Sequence, residues 1–228
     1  MSLFVKTLVV VIFMGTSVAQ AAEGCLTRAD LVNGIAVTTK DGRTHEVTAA
    51  ANGQSVTVRY SWKTGRVTAA SVMQYRNGRY LVSDTRSFSD RHRNRKFRLT
   101  RNMQGVVQRD QFRYVGSNFP DLATGVSWLA PVSIRHETTD ATGAISESTD
   151  STATAVYSGV DDQVVTVAGC AYRAVGIEVE YSGKSDRLIK RRQLYFPDLG
   201  FSVITASGPD SYGPADRNDV TGVYRLSQ

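Results

Sequence analysis

The sequence has few of the residues, and none of the common motifs, from which enzymatic sites are built. Its 228 residues include three histidines and two cysteines, and no cysteines are spaced C-x-x-C. Neither the G-x-S-x-G elbow of serine hydrolases nor the H-E-x-x-H helix of zinc peptidases occurs in it. We therefore predict a protein that is not an enzyme and that binds no cofactor and no metal ion.

The three histidines, His45, His92 and His136, are far apart in the sequence. His136 has the same strand parity as Val132 and Ile134, which predicts a hydrogen-bonded histidine at the rim of a sheet rather than a general base. His92 lies among arginines, whose charge disfavours a protonated imidazole. His45 is expected to be exposed in a hairpin, so none of the three is predicted to be catalytic.

Long hydrophobic runs are also missing, apart from one near the N-terminus. There a lysine precedes the apolar run Leu8–Phe13, and Ala19-Gln20-Ala21 is a small-residue cleavage site. The run is too short to span a bilayer, and the pattern is that of a secretory signal peptide over residues 1–21. We expect a mature chain that starts at Ala22, has no transmembrane segment and is periplasmic or secreted. Residues 22–228 are long enough for one core and are predicted to form a single domain.

The two cysteines, Cys25 and Cys170, lie near the start and in the last third of the chain. In an oxidising compartment such a pair predicts a disulfide, and two buried free thiols are the alternative. Loop-closure entropy assigns such a bridge roughly 4–5 kcal/mol as an upper figure. A lipid anchor on Cys25 is a further alternative, although Ala22 and Glu23 do not make the usual leucine-containing lipobox.

Alternation of apolar and polar residues with a period of two is the most regular pattern that is present. Val56, Val58 and Tyr60 alternate with polar residues, and Asn52-Gly53 and Asn77-Gly78 are typical of tight turns between strands. Such runs recur at short intervals along the chain, which indicates sequential antiparallel strands.

We predict a mainly β fold: a single domain with a curved antiparallel sheet, half-barrel or sandwich-like, and one or two short helices. The first helix is expected after Thr27-Arg-Ala-Asp30, which fits a capping box. Residues 102–125 have no clean period, and we predict either a helix or an ordered loop there. Asp161-Asp162 is more typical of a turn than of an acid/base pair.

The stretch Gly169–Phe201 predicts one long hairpin. In any register that keeps the faces aligned, Glu178 and Glu180 share a face with Lys190 and Arg192. Cross-strand pairs of opposite charge contribute a few tenths to about 1 kcal/mol each. We therefore interpret this charge as a solvated face that sets the register.

The same region resembles a known family. A cysteine opens a strand in Cys170-Ala-Tyr172, a long hairpin follows, and Phe196-Pro-Asp-Leu-Gly200 makes an aromatic-Pro-x-Leu-Gly turn. This order is similar to the end of periplasmic all-β proteins related to the lipoprotein carriers (LolA/LolB-like), many of them uncharacterised. The resemblance implies a wide antiparallel sheet around a hydrophobic groove that short helices close.

The basic segment Arg86–Arg101 is the most pronounced charged feature and departs from that family's pattern. It holds seven lysines or arginines and one acidic residue, Asp90. One interpretation is contact with an anionic partner such as lipid phosphate, since the planar guanidinium donates bidentate hydrogen bonds. The other is an edge whose charges prevent aggregation of sheets. The residues expected to contact an anionic partner are Arg91, Arg93, Arg95, Lys96 and Arg98.

Net charge and compartment together limit the choice of function. The formal net charge is +6, but a secreted protein would meet anionic lipids rather than nucleic acid. Our first hypothesis is a non-enzymatic cell-envelope binding protein that holds a lipid, an acyl chain or a hydrophobic segment in an apolar groove with a basic rim. The second is a structural module that docks on another envelope protein, and a hydrolase ranks third.

Overall fold

The computed structural model describes residues 24–64, 67–88, 91–93, 100–102, 105–116, 118–183, 189–208 and 220–226. A 3₁₀ helix (Arg28–Val32) comes first, and strands make up most of the rest. The strands are β1 (Ile35–Thr39), β2 (Thr44–Ala49), β3 (Ser55–Thr64), β4 (Val67–Arg76), β5 (Tyr80–Phe88), β6 (Arg91–Arg93), β7 (Thr100–Asn102), β8 (Val107–Tyr114), β9 (Ser127–Thr139), β10 (Ile145–Val167), β11 (Cys170–Gly183), β12 (Ile189–Phe196), β13 (Phe201–Gly208) and β14 (Val220–Arg225).

Twelve of these strands form one antiparallel sheet in the order β13-β12-β11-β10-β9-β8-β5-β4-β3-β2-β1-β14. Consecutive strands are neighbours almost throughout, because short turns join them. The sheet curls into a half-barrel, which confirms the predicted mainly β fold with one curved sheet. β6 and β7 form a separate two-stranded ribbon. Among the described residues, no helix is long and apolar enough to cross a membrane.

Because neighbouring strands are antiparallel, the turns fall at the two opposite ends of the strands. We call one of these the closed end; it contains the 3₁₀ helix, the β4–β5 turn, the loop 118–126 and the β12–β13 turn. We call the opposite one the open end; it contains the β1–β2 and β9–β10 turns, and the β6–β7 ribbon is inserted there between β5 and β8.

At the closed end, the β12–β13 region packs against the β4–β5 turn. The Ser202 hydroxyl donates a hydrogen bond to the Gly78 carbonyl oxygen (2.7 Å), and Gln193 Nε2 donates one to the Arg79 carbonyl oxygen (2.8 Å). Gly78 has a φ of 68°, and a Cβ there would overlap the carbonyl oxygen of Gly200. This close approach holds the β12–β13 end of the sheet against its central strands β4 and β5 and keeps the sheet curled.

The predicted disulfide between Cys25 and Cys170 is confirmed, with the two Cα atoms 5.6 Å apart. Next to it, the Leu26 N–H donates a hydrogen bond to the Tyr172 hydroxyl (3.0 Å). The bridge thus fixes the segment before the 3₁₀ helix onto β11. Since the Cys25 sulfur is bonded to Cys170, it cannot also bear a thioether-linked lipid.

The hydrophobic core lies on the concave face and is rich in aromatic side chains. Tyr114, Tyr157 and Tyr181 bring their hydroxyl oxygens together, at 2.6, 3.0 and 2.9 Å. The Tyr114 hydroxyl also lies 2.9 Å from the Leu81 carbonyl oxygen, to which it donates. Burial raises the pKa of all three tyrosines, so they remain protonated and satisfy one another inside the sheet.

The long hairpin has the predicted register. Glu178 pairs with Arg192 and Glu180 with Lys190 across β11 and β12, and both pairs form salt bridges, at 3.2 and 3.3 Å. The turn predicted at Asp161-Asp162 is wrong, because β10 continues through it with a bulge. Asp161 instead reaches across Gly176, where no side chain obstructs it, and lies 2.8 Å from Arg192.

Two smaller predictions have different outcomes. The 3₁₀ helix begins where the capping box predicted it, and the Asp30 carboxylate accepts a hydrogen bond from the Thr27 N–H (2.8 Å). Residues 102–125 contain strand β8 and the loop 118–126, with no helix among those that are described. The strand was obscured because only Phe112 of its alternating residues is large, apolar and buried.

Candidate ligand site on the concave face

A cluster of charged and polar side chains lies on the concave face towards the open end. Period-two alternation puts Asp84 and Arg86 of β5 on this face, and the register places Asp110 opposite Asp84 and His136 opposite Asp110. The curl of the sheet then brings Arg191 of β12 against Asp84. We call these five residues the polar cluster.

Asp84 is at the centre of the polar cluster and is almost fully buried. Its carboxylate lies 2.8 Å from Arg191 Nη2 and 3.2 Å from Arg86 Nε, and it accepts a hydrogen bond from the Ser71 hydroxyl (2.7 Å). Burial alone would raise the pKa of Asp84, but the two guanidinium groups and the hydrogen bonds outweigh it, so the pKa is lowered. Asp84 is therefore an anion inside the sheet at neutral pH.

His136 is linked to the polar cluster through Asp110. Its Nδ1 donates a hydrogen bond to the Asp110 carboxylate (2.7 Å), and its Nε2 lies 3.2 Å from the Thr138 hydroxyl oxygen. The other oxygen of Asp110 lies 2.7 Å from Arg86 Nη2. The prediction of a hydrogen-bonded histidine at the rim of the sheet is thus confirmed.

Arg191 is the member of the polar cluster with unused hydrogen-bonding capacity. The residue is 6% exposed, and its Nε and Nη1 have no hydrogen-bond partner among the described residues. Burial alone would lower the pKa of Arg191, but the Asp84 carboxylate opposes this and the pKa is raised, so the guanidinium stays charged. Buried polar groups are nearly always satisfied, because an unsatisfied one costs about 1–3 kcal/mol.

His45 is buried rather than exposed, so the prediction for it was wrong. It pairs with Tyr60 of β3 and points to the same face as Val47, a parity that the sequence itself contains. Both ring nitrogens lack a partner among the described residues, and burial lowers the pKa of His45 to about 4. Its ring centroid is 4.9 Å from that of Tyr60, which stacks at 5.3 Å on Trp62. These three rings are uncharged at neutral pH.

The basic segment begins with Arg86 near the end of β5 and continues beyond Phe88 at the open end. Arg91 and Arg93 belong to β6, which pairs with β7, while Arg95, Lys96 and Arg98 lie outside the described residues. The base of the ribbon is fixed by a hydrogen bond from the Gly105 N–H to the Phe88 carbonyl oxygen (3.1 Å). The chain therefore places the ribbon beside the open end of the concave face, with two residues between Phe88 and Arg91.

Comparison with known proteins adds no assignment to this geometry. The chain matches no family model, no curated protein and no solved structure. Within the described ranges, no three side chains of His, Cys, Asp or Glu are grouped as metal ligands. The site must therefore be interpreted from its own residues.

Proposed function

We propose that this chain is a non-enzymatic binding protein of the cell envelope, periplasmic or secreted, that holds an amphiphile on its concave face. The acyl chain or other apolar part would lie against the aromatic rings, and an acidic group would bind Arg191. The disulfide supports the compartment, because such bonds persist in oxidising surroundings. The likeness of the C-terminal hairpin to lipoprotein carriers agrees with a hydrophobic ligand but is analogy alone.

The unsatisfied guanidinium of Arg191 is the observation on which this proposal depends. Asp84 occupies one of its nitrogens, and two others have no partner among the described residues. A carboxylate or phosphate of a ligand would supply the missing acceptors with charge-assisted hydrogen bonds. Hydrogen bonds to charged groups contribute about 1.5–3 kcal/mol, which is enough to orient a ligand by its acidic end.

The surroundings of Arg191 suit the apolar part of such a ligand. Tyr60 and Trp62 are only partly buried, so their rings offer apolar surface near the open end. His45 is neutral because burial lowers its pKa to about 4, and it adds an uncharged surface beside Tyr60. Ligand sites commonly combine an apolar lining with a few polar groups that fix orientation.

In this proposal the basic segment Arg86–Arg101, which contains the β6 strand of the ribbon, would supply a cationic rim. Its position next to the open end would raise the local concentration of acidic amphiphiles and would favour contact with anionic membrane surfaces. In this proposal the ribbon attracts the ligand, and Arg191 binds its acidic group inside the sheet.

Fatty-acid binding with and without the negative charge tests the proposal. We expect the protein to bind cis-parinaric acid more tightly than its methyl ester, because only the acid can pair with Arg191. Replacing both members of the pair in D84N/R191M avoids leaving an isolated buried charge. This variant should bind the acid roughly ten- to a hundredfold more weakly and the ester as before.

The matched control is D162N/R173M, which removes an ion pair between two exposed residues and should not change either affinity. Native mass spectrometry of the protein purified from its own envelope should show a retained lipid-sized mass. If wild-type protein binds neither acid nor ester and instead retains a protein partner, the docking module replaces the lipid-binding proposal.

A hydrolase is the second candidate, because Asp110, His136 and Thr138 form a hydrogen-bonded series. The carboxylate orients the imidazole at 2.7 Å, and the hydroxyl lies 3.2 Å from the other ring nitrogen, an order known from nucleophile–base–acid triads. The test is turnover of p-nitrophenyl esters by wild-type protein and by T138V, which keeps the shape but removes the hydroxyl. Equal rates in the two proteins would rule out this candidate.

A further inference from the structure

The outer face of the sheet has a separate groove with a volume of about 600 Å³. This volume lies within the roughly 300–1,000 Å³ that small-ligand sites occupy. Its floor is one cross-strand row over five neighbouring strands, paired in register from β4 to β10. The residues of this row are Gln74, Ser83, Gln111, Arg135 and Asp150. Alternation puts the row on the face opposite to the polar cluster, so the groove is distinct from the site proposed above.

Three arginines line the groove, and two of them have no carboxylate partner among the described residues. Arg135 lies 2.9 Å from Glu137, whereas Arg76 and Arg113 form no ion pair with any described acidic side chain. Both residues are exposed at the surface of the sheet. The groove therefore has an excess of positive charge at one end.

Arg76 is held in place by an aromatic ring. Its guanidinium carbon lies 4.9 Å from the centroid of Phe119. That ring is itself fixed by Tyr80 at 5.0 Å and Trp128 at 5.4 Å. A guanidinium stacked in this way contacts the ring with its flat face and keeps its N–H edge free for an anion. The position of Arg76 is thus set without consuming its hydrogen-bond donors.

The remaining side chains that line the groove are of two kinds, polar and apolar. Gln111 and Ser133 supply amide and hydroxyl groups, and the exposed carboxylate of Asp150 is an acceptor only. The lining also includes the apolar or aromatic residues Val82, Phe112, Tyr114 and Phe119. It is complementary to a ligand that combines one acidic group with several hydroxyl groups.

We propose that this groove binds an acidic saccharide. Its carboxylate or phosphate pairs with Arg76 and Arg113, and its hydroxyl groups exchange hydrogen bonds with Gln111, Ser133 and Asp150. The proposal does not depend on the concave-face site, since it uses no residue of the polar cluster.

Isothermal titration calorimetry at low salt tests the proposal, with trigalacturonate as the carboxylated probe, glucose 6-phosphate as the phosphorylated probe and maltotriose as the neutral one. We expect at least one of the two acidic probes to bind and maltotriose to bind at least tenfold more weakly. Comparison of the acidic probes identifies which acidic group the groove accepts.

The variant R76Q/R113Q should bind the acidic probe with at least tenfold lower affinity than the wild-type protein. The control R59Q/R173Q removes the same charge from exposed residues outside the groove and should leave the affinity within a factor of two. The proposal is overturned if neither acidic probe binds, if maltotriose binds as tightly, or if the control loses as much affinity as R76Q/R113Q.

Discussion

The guanidinium of Arg191 lies 2.8 Å from the carboxylate of Asp84, although 107 residues separate them in the chain. Both side chains are buried, at 7% and 5% exposure. This pair joins β12 to β5 across the concave face, and Arg86 and Ser71 contact the same carboxylate. It therefore links the curl of the sheet to the proposed ligand site.

We expect Asp84→Asn to destabilise the protein by about 3–5 kcal/mol, because it leaves a buried guanidinium without its counter-charge. D84N/R191M should recover part of this loss. The measurement is urea unfolding at pH 7. The exposed variant D162N, which breaks a surface pair, should cost no more than about 1 kcal/mol. A cost for D84N as small as that of D162N would contradict the role of this pair.

The buried His45 predicts a dependence of stability on pH. Its pKa is lowered from 6.5 to about 4 by burial, so the unfolded chain binds more protons than the folded one between these values. The contribution of neutral His45 is fully present above pH 6.5 and is lost as the pH falls towards 4, by about 3 kcal/mol. Urea unfolding between pH 7 and 4.5 should show this slope, and H45L should flatten it. An unchanged slope in H45L would mean that other groups cause it.

Replacing Gly78 tests the contact between the β4–β5 turn and the β12–β13 turn. Gly78→Ala should destabilise by several kcal/mol, since it combines a strained positive φ with a Cβ that overlaps the Gly200 carbonyl. Gly143→Ala is the matched control, with a φ of 85° and no atom within 4 Å of the added Cβ. Gly143→Ala should lower the free energy of unfolding only by the cost of backbone strain, about 1 kcal/mol. Thermal unfolding of both variants measures the difference, and similar losses would exclude the close approach as the cause.

The basic segment Arg86–Arg101 should bind acidic membranes in a salt-sensitive manner. Each basic residue near an anionic surface contributes about 1 kcal/mol, so R93Q/R95Q/K96Q should weaken binding to phosphatidylglycerol vesicles on the order of a hundredfold. The exposed-face control R59Q/R109Q/R173Q has the same change in charge and should bind as wild type. Co-sedimentation at low and high salt measures both. If R93Q/R95Q/K96Q binds the vesicles as wild type does, the alternative interpretation remains, in which these charges prevent aggregation of sheets.

Features that depend on neighbours in the sequence were predictable. The register of Glu178 and Glu180 against Lys190 and Arg192 follows from parity within one hairpin, which is a local property. The disulfide was predictable because the chain has only two cysteines, Cys25 and Cys170, which allow a single pairing. Alternation likewise predicted the mainly β fold.

Features that depend on the curl of the sheet were not predictable from the sequence. Arg191 lies between Lys190 and Arg192 in β12, and nothing in this local run indicates that its side chain faces Asp84, which is 107 residues away in the chain. Parity could have placed His45 inside, since it is two residues from Val47 and shares its face of the strand, but the nearby β1–β2 turn suggested exposure. The outer groove has no signature in the sequence, because its row joins five strands.

The positions of Cys25 and Cys170 also determine the order in which strand pairing and disulfide formation can occur during synthesis. A chain made from its N-terminus must add 145 residues after the first sulfur before the second exists. By then every strand from β1 to β10 has been synthesised. Oxidation is therefore a late event that secures a sheet formed by its own strand pairing. A reductant present during biogenesis should leave the strands from β1 to β10 paired while the segment before the 3₁₀ helix is not fixed to β11.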